Sequence, residues 1–516
     1  MTAPPLFRLG RRRAGGTHFG IATVPLLLTA GGFTALIVLP LLTGSVVAGI
    51  AVAAGCGLVA FAPAPGGGSI HEAVPLAVRH LARRGTARDR WTAPLPLLAG
   101  APAAETRADD DAGRLLPPPL RGLGIVTAPR DAGRGTTDSV APVGLIHDRR
   151  AGTLTVVLTC RGSEFGLLEP ADQHRRLSAW AQVLAHTARD RGMLRLGWSL
   201  WSGPAPPSEH LHWLRDRRPD LASAGPGPTR AAEDYQQLLE TAAPTLTRHD
   251  LRLWLSLDIR RLPGRGGAEA TGAALESAST LADRCRAAGL VVSEPASPVE
   301  IAEALRLRAD PSVAGTLAGL RRTLAQHTGT ASVLEGVHAG PLSIHTRWDA
   351  VRVDDVWHRA FWVAQWPVTS LRPGWLDPLL FEPTCARTVA FLLEPLSARS
   401  SRRRINTDAV DVESRITVRE RHGFRVPTHL TGAQQQVDER EAELHAGHAE
   451  YGFLALVDVA APTRDELDDA SRQLVNAAAF AGIGEIRPLH GRHDLAWAAT
   501  LPTGRGPAPS LLRGSF

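Results

Sequence analysis

The run of charged and uncharged positions divides the chain before any motif does. Between Arg13 and Glu72 there is no Asp, Glu, Lys or Arg. Inside that gap Phe19–Leu39 and Gly44–Phe61 are two nearly continuous apolar runs, with a break at Pro40 and at Thr43-Gly44. A helix needs about 20 apolar residues to cross a hydrocarbon core of about 30 Å. Neither run shows the polar face of a soluble helix. The pattern therefore predicts a transmembrane hairpin over residues 19–64. A cleaved signal peptide would carry one apolar region of about 7–15 residues, and two longer runs argue against it.

The periodicity changes after the second run. Ile70–Trp91 interleaves Val74, Leu76, Ala77, Val78, Leu81 and Ala82 with Arg79, Arg83, Arg84, Arg88 and Arg90. This is a basic amphipathic helix expected at the membrane surface, where anionic lipid attracts each basic residue by about 1 kcal/mol. Residues 1–18 form a basic tail with Arg8, Arg11, Arg12 and Arg13. Arginines accumulate on the cytoplasmic side of short flanks. The expectation is an inner (cytoplasmic) membrane protein with two spans and both termini cytoplasmic. Residues 65–119 then read as juxtamembrane helix and linker, with Asp109-Asp110-Asp111 and a stiff Pro117-Pro118-Pro119 exit.

From Leu120 onward strand and helix patterns alternate. Strands are predicted near 140–146, 153–159, 192–201, 251–258 and 290–292, with helices over 172–191, 229–243, 270–288 and 297–308. A linker is expected over 310–332. The second set of strands lies near 342–348, 357–366, 387–393, 451–459 and 485–489, and the helices over 397–421, 432–448, 463–480 and 491–498. The fold class is α+β: the hairpin, then two cytoplasmic bodies, 120–310 and 333–506. Each is expected to hold a small, mainly antiparallel sheet covered on one face.

Composition narrows the chemistry. The chain has no lysine, so a Walker A loop and Schiff-base catalysis by a side chain are both excluded. Cys56, Cys160, Cys285 and Cys385 are far apart with no C-x-x-C pair, which argues against a zinc ribbon or a disulfide framework. The net charge of +6 lies partly in the hairpin flanks. No basic run is interleaved with aromatics, and Arg402-Arg403-Arg404 reads as a helix surface, so no direct nucleic-acid partner is expected. No cofactor is expected.

Trp348–Pro367 is dense in functional residue types. Asp354, Asp355 and His358 could do acid–base work. A hairpin with Asp354-Asp355 in its turn accounts for the same residues, with Trp348, Trp357, Trp362 and Trp366 as core or contact surface. His445 with His448, and His490 with His493, are spaced like half of a metal site, but neither has a second motif in register. G-x-S-x-G, H-E-x-x-H and EF-hand loops are absent. A non-enzymatic role is the expectation.

Several segments, in order, resemble a known family. They are Gly144-Leu145-Ile146-His147, Thr153–Thr159, Trp348-Asp349, Trp357-His358-Arg359, Phe361-Trp362, Trp366-Pro367, Arg387–Leu396, Gly447–Tyr451 and Leu501–Gly506. Together they look like the membrane-anchored, ATPase-less relatives of the conjugative type IV secretion ATPase in actinobacterial conjugation and secretion loci. There a two-helix hairpin is fused to a body similar to the amino-terminal domain of the ATPase. The resemblance implies a scaffold that docks a separate motor ATPase and joins other membrane subunits. It supplies no catalytic residues. It implies packing or docking roles for Trp348, Trp357, Trp362 and Trp366, and for Gly447–Tyr451 with His448 and Tyr451. The E component of a type VII secretion core is a competing likeness, with two spans and a single shorter body. A membrane-tethered enzyme using Asp354, Asp355 and His358 is a further alternative.

Overall fold

A computed structural model describes residues 23–63, 69–93, 116–128, 142–162, 164–205, 229–242, 246–265, 267–326, 340–367 and 371–506, with residues 207, 210 and 217. The basic tail, the start of the first apolar run and most of the 65–119 linker lie outside these.

The apolar region forms α1 (Thr23–Thr43) and α2 (Val46–Phe61). Ser45 caps α2, its side chain accepting from Ala48 N. Val24–Thr43 is long and apolar enough to cross a membrane, and almost none of it is buried. At 16 residues α2 is shorter than the expected run, about 24 Å of helix against a core of about 30 Å. α2 turns back along α1 through small residues. A Cβ on Gly32 would stand 3.0 Å from Cys56 Cβ, and one on Gly49 would stand 3.1 Å from Pro40 Cδ. Close approach through small residues is how apolar helices associate when no hydrophobic drive separates them from lipid.

α3 (Ile70–Gly85) is shorter than the sequence predicts. Beyond it Arg90–Thr92 is β1, an edge strand pairing with β8 (Ser343–Thr346). The remaining strands are β2 (Leu123–Ala128), β3 (Val143–Asp148), β4 (Thr153–Arg161), β5 (Met193–Pro204), β6 (Thr247–Asp258), β7 (Val291–Pro295), β9 (Val351–Val353), β10 (Val356–Gln365), β11 (Ala386–Pro395), β12 (Tyr451–Ala461) and β13 (Glu485–Pro488). Among the described residues every ladder is antiparallel, and all the strands belong to one 13-stranded sheet.

The sheet order shows an internal repeat. One half runs β5-β6-β4-β3, with β7 pairing β4 where β3 stops; the other runs β11-β12-β10-β9, with β13 pairing β10 where β9 stops. Matching helices connect them. These are α4 (Pro170–Thr187), α5 (Thr229–Ala242), α6 (Gly267–Ala287) and α7 (Pro298–Ala309) in the first half. After α8 (Ala314–Gln326), the second half has α9 (Asp377–Phe381), the pair α10 (Ala398–Arg421) and α11 (Thr428–His445), then α12 (Arg464–Phe480) and α13 (His493–Thr500).

The halves meet at β5 and β11, which pair over seven residues from Leu196↔Leu393 to Ser202↔Arg387. This differs from the expectation of two bodies with separate small sheets. The two sequence regions share one continuous sheet, because β5 pairs with both β6 and β11, and β11 with both β5 and β12. The expected linker over 310–332 is helical over its described part, as α8.

Both faces of the sheet are covered, where one was expected. Val156 and Leu158 of β4 point to a core beneath α4 and α6, and Val157 points to the opposite core. Val457 and Val459 of β12 likewise lie under α12, while Leu454 and Leu456 face the α7 and α13 side. Runs such as Val156-Val157-Leu158 are apolar on both sides, the signature of a strand buried twice.

Candidate functional site

The most distinctive local arrangement lies where α3 meets the sheet body. Ser69 N donates to Glu72 Oε2 at 3.3 Å and starts the helix. Val74, Val78 and Leu81, one per turn, are exposed at 49%, 60% and 63%. That spacing is one helical stripe. The opposite side is held down. His80 is buried and meets the Trp348 ring edge-on at 5.7 Å, and Trp348 stacks on His490 at 5.6 Å. Burial first, then Arg83, lowers the His80 pKa. Gly491, at φ 69°, lets the backbone pass this stack: a Cβ there would stand 3.0 Å from Trp348.

Arg83 makes the polar link. Its Nη2 donates to Asp494 Oδ2 at 2.7 Å and its Nη1 faces Oδ1 at 3.5 Å. Asp494 sits in the first turn of α13, where a carboxylate also meets the positive end of the helix. Arg79, Arg84, Arg88 and Arg90 remain exposed. With Arg83, four of the five predicted surface arginines line a cleft between α3 and the body: Arg79, Arg83, Arg88 and Arg90. Arg121 and Arg492 complete it from the body side. Sequence reading missed these two, because they stand 30 or more positions from α3 and carry no local pattern.

The tryptophan hairpin forms as β9 and β10, with Asp354-Asp355 in its turn. Asp354 takes φ 52°, accepts from Leu342 N and Ser343 N at 2.7 and 2.9 Å, and pairs with Arg306 at 2.6 Å. Asp355 is exposed and paired with Arg352. His358 is fully buried: Nε2 donates to Ala309 O at 2.9 Å, and Nδ1 meets Asp458 Oδ2 at 2.8 Å. Burial raises the Asp458 pKa against the opposing effect of His358. The three residues of the enzyme alternative are thus held by three different partners and do not converge.

The expected docking set separates in the same way. Trp362 and Trp366 lie in the core, Trp366 in a cluster with Trp375, Phe391 and Phe453. Burial removes both from docking and leaves them a packing role. Trp348 supports α3. Tyr451 donates its hydroxyl to Leu184 O at 2.6 Å and bolts β12 to α4. Trp357 is half-buried beneath Arg464, Arg347 and Arg352, at 4.9, 5.4 and 5.9 Å. His448 is exposed. Of the paired histidines, His493 is buried with Nδ1 accepting from Ala360 N, and His445 bonds Glu441 O. No group of three metal-binding side chains forms among the described residues.

Deeper on the α7 and α13 side, Arg308 is buried without solvent contact. It donates to Asp250 Oδ2 at 3.0 Å and to Ala304 O, and its own carbonyl accepts from Trp497 Nε1. Asp250 also holds Arg252 at 3.0 Å. This cluster ties α7, β6 and α13 together.

No protein-family model matches this chain, and no curated protein matches it.

Proposed function

We propose that this chain is a non-catalytic membrane scaffold of a type IV-like conjugation or secretion apparatus, docking a separate motor ATPase. The observation that carries the membrane part is the two-faced α3: an exposed Val74, Val78 and Leu81 stripe on one side, a buried anchor to the sheet body on the other. Almost none of α1 is buried, so it and the α3 stripe both present apolar surface that lipid would cover. In this reading α1 and α2 form the spanning hairpin, both termini are cytoplasmic, and α2 is matched to the bilayer by local thinning. The body hangs from the inner face by Arg83 and His80. The assembly part rests on the ordered segments that resemble the secretion family. The missing lysine fits a partner that supplies the energy. Of the docking set His448 is exposed, and Trp348, Trp357 and Tyr451 are half-buried.

One observation favours a second reading. The two sequence regions share a single sheet, so the body is one unit. That is closer to the E component of a type VII core than two separate bodies would be.

The test is extraction and co-purification. Membranes washed with alkaline carbonate should retain the chain, and mild detergent should bring down a motor ATPase with it. Release by carbonate overturns the membrane part. A type VII ATPase and protease in the eluate would favour the second reading, and ATP hydrolysis by the purified chain alone would overturn the scaffold.

A further inference from the structure

The cleft between α3 and the body has a volume of about 570 Å³, a size suited to a small ligand. Arg79, Arg83, Arg88, Arg90, Arg121 and Arg492 line it with Asp494, while Asp89 stands 4.0 Å from Arg90 and Glu72 attracts Arg492 from nearby. Arg83 takes the Asp494 carboxylate. Arg121 Nε is buried and has no hydrogen-bond partner among the described residues. Arg492 is only 8% exposed, and burial lowers its pKa to about 10. Gathering these guanidinium groups costs mutual repulsion, and at the buried Arg492 lost hydration as well. A polyanion in the cleft would offset both. Guanidinium forks match phosphate oxygens in bidentate geometry, which an ammonium does not. Leu76, Trp91 and Leu495 add an apolar wall beside the arginines.

We propose that this cleft binds a phosphate-bearing anion, and that in the membrane the anion is the headgroup of an acidic phospholipid. The lipid source rests on the membrane reading above; the phosphate chemistry does not. The headgroup would enter from the α3 side, whose outer stripe Val74, Val78 and Leu81 faces the acyl boundary. It would bridge α3 to Arg121 and Arg492 and so couple the body's position to lipid composition.

The experiment uses the full-length chain in nanodiscs of phosphatidylcholine alone and of phosphatidylcholine with cardiolipin, read by melting temperature. The expected result is a higher melting temperature in the acidic discs. The exposed pair R88Q/R90Q should lose most of that rise while melting like wild type in phosphatidylcholine. R121Q/R492Q should lose it too; should burial of Arg492 make that variant unstable, R88Q/R90Q still decides. An undiminished rise in R88Q/R90Q overturns the cleft. Inorganic phosphate and inositol hexakisphosphate are added to the phosphatidylcholine discs in parallel. A rise with these that the same variants abolish, without one from cardiolipin, supports the phosphate site and overturns the lipid source. No rise with any of the three overturns the proposal. Carbonate extraction of the same proteins separates the two readings: a chain that stays in the membrane without any rise sinks the cleft alone, and a chain that washes out sinks the anchoring.

Discussion

Arg83 and Asp494 meet at 2.7 Å across 411 positions of sequence. One belongs to the helix after the apolar pair, the other to the last helix of the sheet body. Asp494 has a side chain only 2% exposed, while Arg83 keeps 24%. Removing the arginine leaves a buried carboxylate without its cation, which costs about 3 kcal/mol. R83A should therefore lower the melting temperature of the full chain and open the segment around 63–93 to protease. Adding D494N should recover most of the loss, because the unpaired charge is gone. A melt of R83A indistinguishable from wild type would mean that the pair does not hold α3.

A second ion cluster predicts the acid limb of stability. Burial works to raise the Asp250 pKa, but Arg308 and then Arg252 outweigh it and hold it at about 2. The unfolded value is about 3.9. Because the folded value is the lower one, the stabilisation is complete above pH about 4 and is lost as pH falls toward about 2, amounting to about 2 kcal/mol. The gap in melting temperature between wild type and D250N should narrow over that window. A gap that stays constant from neutral pH down to the acid limit would show that Asp250 titrates normally.

The local elements were legible because each writes its own period. Thr153–Thr159 reads as a strand, and Thr463–Phe480 as a helix; the structure keeps both within two residues at each end. The joining of the two halves was not legible. The β5–β11 ladder pairs Ser199 with Ala390, and nothing near either residue names the other. Nor could alternation distinguish a sheet covered once from one covered twice when β12 is apolar at every position from Leu454 to Val457. Residue type alone does not distinguish the buried Trp362 from the half-buried Trp357. Of the cleft, the α3 arginines were visible as a cluster, while Arg121 and Arg492 reach it only through the fold.

The turn of the tryptophan hairpin predicts opposite outcomes for two neighbouring residues. Asp355 has a side chain 92% exposed with a surface partner, so D355A should change stability by no more than about 0.5 kcal/mol. His358 is enclosed with Asp458, both almost without solvent contact. H358A should cost about 4 kcal/mol, since it leaves a cavity and an unsatisfied buried carboxyl. Melting temperatures of the two variants check this directly. If H358A melts like wild type while D355A abolishes a measurable turnover, the structural assignment of this hairpin is wrong.

The joint between the halves makes the last prediction. Gly197 on β5 pairs with Leu392 of β11 on one side and with Trp254 of β6 on the other. The Trp254 indole lies over it, and a Cβ on Gly197 would stand 2.0 Å from Trp254 Cζ2. Trp254 cannot retreat, because it is 2% exposed in the core shared with Ile146, Ile301 and Leu456. G197A should therefore overpack the sheet at its joint and cost about 3 kcal/mol, whereas a buried methyl normally stabilises. Gly124 on β2 has open space where its Cβ would go, so G124A is the matched control and should be neutral or slightly stabilising. Because β5 is, among the described residues, the only strand of the first half that pairs with β11, the G197A loss should appear as earlier melting of the whole sheet rather than of one half. Hydrogen exchange on both halves reads this: together they should lose protection in β6 and β12. Loss confined to β4 and β6 would mean that the halves are stable independently and that the β5–β11 ladder does not couple them.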